Sequence, residues 1–185
     1  MKAVSLRKQK KRSLPWRIVA GFANTALLVV LALFVYLFLA NPVQMKGHSM
    51  EPAAAEKSVL LINKLSYCVA SPKQFDIIAF RTKNSSDIQI KRVIALPGDR
   101  IRIDDGDIYI NGVLCEQAKD YIQDLISAGI AADELTLGEK EYFVLGDHAV
   151  YSEDSRSYDI GMVSKEQIIG KVWFAGTSVL SFRFL

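Results

Sequence analysis

Three groups of residues in this chain could do chemistry. Gly47-His48-Ser49-Met50-Glu51 begins like the nucleophile elbow G-x-S-x-G, which exposes a serine hydroxyl on a sharp turn. Glu51 stands where that motif has its last glycine, so the turn that presents Ser49 must be of another kind. Lys91 sits inside the apolar run Ile88-Gln89-Ile90-Lys91-Arg92-Val93-Ile94. Turned inward, it loses hydration, its pKa falls, and a neutral amine becomes available as a base. Moving a lysine from its ordinary value to near 7–8 takes about 3–5 kcal/mol of desolvation and local field. Lastly, Gly146-Asp147-His148 and Ser152-Glu153-Asp154-Ser155-Arg156 gather hydroxyls, carboxylates and a guanidinium within eleven residues, a shell able to orient that base. A serine beside a neutral amine is the equipment of nucleophilic acyl transfer.

A second arrangement uses the same serine with His148 as base and Asp147 or Asp154 behind it. His48 is a poor base for Ser49, because adjacent side chains on an extended segment point apart. Ser5-Leu6-Arg7-Lys8 matches S-x-x-K but lies in a basic tail with no fold around it. With two histidines and no C-x-x-C, neither a metal site nor a cofactor is expected.

Short strands must position these residues. Val59–Ile62, residues 76–80 and 88–94, Ile101–Ile103 and Ile108–Ile110 are β-branched or aromatic runs bounded by polar breaks. Asp104-Asp105-Gly106-Asp107 and Asn111-Gly112 are tight-turn signals between them. The pattern predicts an all-β, or β-dominated, domain. Between Cys115 and Leu137 the spacing changes: Tyr121, Ile122, Leu125, Ile126 and Ile130 recur near helical intervals. Residues 113–139 therefore read as a small helical insertion or cap. Cys68 and Cys115 permit one disulfide, though both have apolar neighbours and equally suit buried free thiols. The run Val172–Leu185 is too short to span a membrane and reads as a core strand or a membrane-surface contact.

The 185 residues are 50% apolar and 23% charged, which excludes a disordered, collagen-like or low-complexity chain. The net charge of +3 is unevenly spread. Residues 1–17 hold seven basic groups and no acidic one, leaving 16 basic against 20 acidic groups for the rest. The basic balance belongs to the tail, and a nucleic-acid partner is not expected. From Ile18 to Ala40 there are 23 residues without a charge. As a helix they rise about 35 Å, enough to cross a hydrocarbon core of about 30 Å. The run is longer than the apolar part of a signal peptide, and Phe38 occupies a position where a cleavage site needs a small residue. The expectation is an uncleaved, single-pass anchor over 18–40 in the cell membrane. The basic tail 1–17 stays in the cytoplasm, and 41–185 forms a domain on the far side. Ser49 follows Ala40 by nine residues, at most about 30 Å of extended chain. Its substrates would be held in or near the bilayer.

Taken together, Ser49-Met50-x-Pro52 after a membrane span, Lys91-Arg92-Val93-Ile94-Ala95-Leu96-Pro97-Gly98-Asp99, and Gly146-Asp147 with Ser152-x-Asp154-Ser155-Arg156 resemble the bacterial type I signal peptidases. The resemblance runs from the anchor to Lys171. It implies a catalytic domain of coiled antiparallel sheets, working as a monomer without cofactor or metal on precursor proteins that carry signal peptides. It makes Ser49 the nucleophile, Lys91 the general base, and Ser152 a hydroxyl bonded to the lysine. Asp154 and Arg156 become a structural ion pair with Asp147 alongside, while Met50 and Pro52 belong to the serine's turn. Where some relatives have a serine hydroxyl for the oxyanion this chain has Gly47, leaving backbone N–H groups, including that of Ser49, to serve. His148-Ala149 replaces the family's usual Asn-Arg. A non-catalytic assembly factor of the same fold and a self-cleaving regulator are the other readings of the same pattern.

Overall fold

In a computed structural model the described residues are 14–82, 86–178 and 181–185. Most of the basic tail, residues 1–13, lies outside them. The chain divides into two units, Met1–Leu37 and Phe38–Leu185. Helix α1 (Leu14–Phe34) lies in the first and continues into a wider turn, Val35–Leu39. Ile18–Leu39 is long and apolar enough to cross a membrane, and none of it is buried by protein. A helix that leaves Phe22, Leu27, Leu28, Val30 and Leu31 uncovered is built for an apolar solvent.

The second unit is built on antiparallel strands. In chain order they are β1 (Asn41–Gln44), β2 (Val59–Asn63), β3 (Ile77–Arg81) and β4 (Ile88–Ala95). Then come β5 (Arg100–Asp104), β6 (Asp107–Ile110), β7 (Val113–Leu114) and β8 (Leu135–Thr136). The series closes with β9 (Glu141–Leu145), β10 (Val163–Ser164), β11 (Ile168–Ser178) and β12 (Ser181–Phe184). The larger sheet has the order β1-β2-β11-β3-β4-β9-β10, with β12 also paired to β11. The smaller one runs β7-β6-β5-β8. Register irregularities in β11 and between Val93 and Ala95 of β4 give the large sheet its coil. The β-dominated fold expected from the strand signals is the fold observed. The two dipeptide turns also stand where the sequence puts them. Asp105-Gly106 and Asn111-Gly112 all take positive φ, as two-residue hairpins of this twist require.

β4 feeds three apolar clusters. Ile94 and Ala95 pack with the smaller sheet, Ile90 with the segment after β1, and Val93 with Tyr142, Val144 and Phe80. From Ile90 to Ala95 every residue is buried. A lysine at position 91 is therefore held out of water.

Residues 113–139 differ from expectation. The segment is not an α-helix but two 3-10 turns, Glu116–Asp120 and Gly129–Ala132, with extended chain between. Asp124 (φ 54) and Gly129 (φ 55) interrupt the spacing that looked helical, since a left-handed residue cannot continue a right-handed helix. Ile122 is buried while Ile126 is 84% exposed, so the apolar repeat does not make one face. β7 and β8 at its ends belong to the smaller sheet. Both cysteines are free, Cys68 exposed and Cys115 half-buried, so Cys68 is not the buried thiol expected. Of the run Val172–Leu185, residues 172–178 belong to β11 and 181–184 to β12, which pair antiparallel.

Candidate active site

The serine is carried by a compact turn between β1 and β2. Met45 and Ser58 close its base: Met45 N–H donates to Ser58 O (2.8 Å) and Lys57 N–H to Met45 O (3.0 Å). Inside it, Glu51 N–H reaches His48 O (3.1 Å) and Ala54 N–H reaches Met50 O (2.8 Å). Gly47, with φ 72, turns the chain into the serine, and the Glu51–Pro52 peptide is cis. Met50 is fully buried with Ala53 and Ala54 in the cluster that includes Ile90 of β4. The turn is thus anchored by its own apolar residues against the strand that carries the lysine.

That anchoring brings Lys91 Nζ to 2.9 Å from Ser49 Oγ. The lysine is 3% exposed and the serine 8%. Burial pushes the Lys91 pKa down from 10.5 to about 8, against the opposing pull of the Asp154, Glu153 and Asp147 charges. An amine with a pKa near 8 is substantially neutral at mildly alkaline pH and can take the hydroxyl proton.

The loop after β9 closes the other side. His148 N–H donates to Ser49 O at 3.1 Å, tying the serine's backbone to that loop. The approach is close enough to demand glycine two residues earlier. A Cβ on Gly146 would lie 2.5 Å from Ser49 O and collide with the Ser152 side chain. Asp154, 1% exposed, accepts from Ser152 Oγ (2.6 Å), Gly146 N–H (3.1 Å) and Arg156 Nε (2.8 Å). The Arg156 guanidinium also donates to Ala149 O (2.6 Å) and Ser127 O (3.1 Å), stitching the 113–139 segment to this loop. Asp154 and Arg156 therefore form the expected ion pair. The Ser152 hydroxyl donates to Asp154 Oδ2 at 2.6 Å, a charge-assisted hydrogen bond that fixes its rotamer.

Asp147, also buried, holds an arginine of β4. Arg92 Nε and a terminal nitrogen grip its two oxygens at 2.8 and 2.6 Å, while Arg92 stacks 4.2 Å over the Tyr121 ring and donates to Phe75 O. The role of Arg92 was not read from the sequence, although a second charge in an apolar strand was a signal of a buried partner. The His148 arrangement is not assembled. His148 Nε2 lies 3.2 Å from Asp124 Oδ2, with its ring edge-on to Tyr151, while Asp147 and Asp154 are claimed by arginines. His48 turns away to Glu51 Oε1 at 3.0 Å. Among the described residues no group of His, Cys, Asp and Glu is arranged to hold a metal ion.

Residues 18–176 match the family described as "Signal peptidase, peptidase S26". A protein named Signal peptidase I from Bacillus caldolyticus is 34% identical over 188 residues, covering 96% of this chain and 97% of that one. A Signal peptidase IB from Staphylococcus aureus (strain MRSA252) is 29% identical over 191 residues, with 95% of each chain covered. The crystal structure of a signal peptidase I from Enterococcus faecalis V583 is 34% identical and aligns with a TM-score of 0.44, covering 56% of this chain and 98% of that one.

Proposed function

The chain belongs to the signal peptidase family, peptidase S26, and we propose that it cuts signal peptides from exported precursors with Ser49 as nucleophile and Lys91 as general base. The observation that carries this reading is the 2.9 Å separation of Lys91 Nζ and Ser49 Oγ in a site almost closed to water. Neutral Lys91 removes the Ser49 proton as the oxygen attacks the scissile carbonyl. The resulting ammonium returns that proton to the leaving amine, and the acyl-enzyme is hydrolysed with the lysine again acting as base. Backbone N–H groups of the serine turn, that of Ser49 among them, receive the developing oxyanion. Asp154 and Arg156 hold the loop against Ser49, and Asp147 holds its base through Arg92; these are positioning residues.

Ile18–Leu39 serves as the membrane anchor, with the basic tail on the cytoplasmic side and residues 41–185 outside. A precursor whose apolar segment lies in the same bilayer then presents its cleavage segment as an added strand. Purified Ser49→Ala and Lys91→Ala proteins should each leave a synthetic precursor intact while folding normally. Full processing by the lysine variant would falsify the dyad.

A further inference from the structure

The lysine that returns a proton to the leaving nitrogen must lie beside that nitrogen, so the mature side of the scissile bond passes along the flank of Lys91. Ser152, which faces Ser49 O across Gly146, lines an open cavity of about 500 Å³ together with Glu153, Asp154 and Arg156. Its opposite wall comes from the 113–139 segment, chiefly Asp124 and Ile126, and Val150 completes the rim. The volume lies within the range of ligand-holding clefts. The dyad itself does not use this space.

The charge of the walls is not balanced. Asp154 and Arg156 neutralise one another. The carboxylates of Glu153 and Asp124 remain, Glu153 exposed and Asp124 beside His148. Next to them Ile126 and Val150 present 84% and 54% of their surface. An apolar rim beside carboxylates suits a side chain with an aliphatic stem and a cationic end.

We infer that this cavity receives the first residues of the mature segment of the precursor and favours a lysine or arginine there over an acidic residue. The stem lies on Ile126 and Val150, and the cation faces Glu153 with Asp124 behind it. The assignment rests on the Ser49–Lys91 reading, which fixes the side on which the leaving segment departs.

The test uses the full-length protein in detergent micelles and three synthetic precursor peptides. They are identical through the scissile bond and carry Lys, Gln or Glu at the second and third positions after it. The ratio of kcat/KM for the Lys and Glu peptides should be on the order of tenfold, an attraction gained plus a repulsion avoided at a part-exposed site. Glu153→Gln should shrink the ratio, and Glu153→Lys should invert it. Any effect of these changes on Lys91 cancels within each ratio. Equal rates for all three peptides, or a ratio unmoved in both Glu153→Lys and Asp124→Asn, would overturn the cavity assignment and leave the dyad standing. No cleavage of any peptide by the unaltered protein would overturn both.

Discussion

Protonation of Lys91 couples activity and stability to pH in a way that can be worked through in numbers. Burial lowers its pKa to about 8. The neutral fraction is then about nine-tenths at pH 9, half at pH 8, a tenth at pH 7 and a hundredth at pH 6. With the neutral amine as base, kcat/KM on a detergent-solubilised precursor peptide should fall about tenfold per unit below pH 8. Stability follows the same proton. Between pH 10.5 and 8 the unfolded chain binds a proton at this lysine that the folded chain refuses, so stability falls as the pH drops through that window and levels off below it. A depression of this size corresponds to about 3 kcal/mol. Lys91→Met has no such proton. Urea denaturation of both proteins at pH 10.5 and pH 7.5 should therefore show wild type losing about 3 kcal/mol relative to the methionine variant, with other titrations cancelling in the difference. A kcat/KM that changes less than threefold from pH 9 to 6, together with a stability difference that ignores pH, would refute the buried neutral amine.

Other perturbations probe the frame around the dyad. Gly146→Ala should cost more activity than most surface changes abolish, since its methyl must displace Ser49 O and Ser152; kcat of the folded variant reads this directly. Asp154→Ala removes the partner of a buried arginine and should destabilise the protein by about 3–5 kcal/mol, measured by thermal or urea unfolding. Arg92→Met should cost a similar amount by removing the guanidinium that binds Asp147 and Phe75 O and stacks on Tyr121, and the midpoint of the same unfolding curve checks it. His148→Ala should lower kcat/KM less than about tenfold, because the ring faces Asp124 and Tyr151 and only its backbone N–H supports Ser49; a loss of a thousandfold would revive the histidine as base.

Strand periods and turn dipeptides were enough to locate most of the scaffold, since Asp105-Gly106 and Asn111-Gly112 encode their hairpins in two residues each. The dyad residues were legible for a different reason. A lysine amid isoleucines and valines has a desolvation cost that a sequence displays openly, and a serine after a glycine turn sits in a motif. What stayed hidden depends on distant pairings. Nothing near Arg92 in sequence announces Asp147, 55 positions on, and nothing near Arg156 announces the carbonyl of Ser127 that it grips. The helical spacing from Tyr121 to Ile130 misled because apolar periodicity carries no information on φ, and Asp124 and Gly129 both adopt left-handed values there.

The place of β11 has a consequence for the dyad. The hairpin bearing the serine turn and the pair bearing the lysine share no ladder of their own; β11 wedges between β2 and β3 and zips to both. β11 is thus a splint that couples the two halves through main-chain hydrogen bonds, a second tie beside the apolar contact of Met50 with Ile90. Loosening that splint would let alcohol and amine drift apart with both side chains intact.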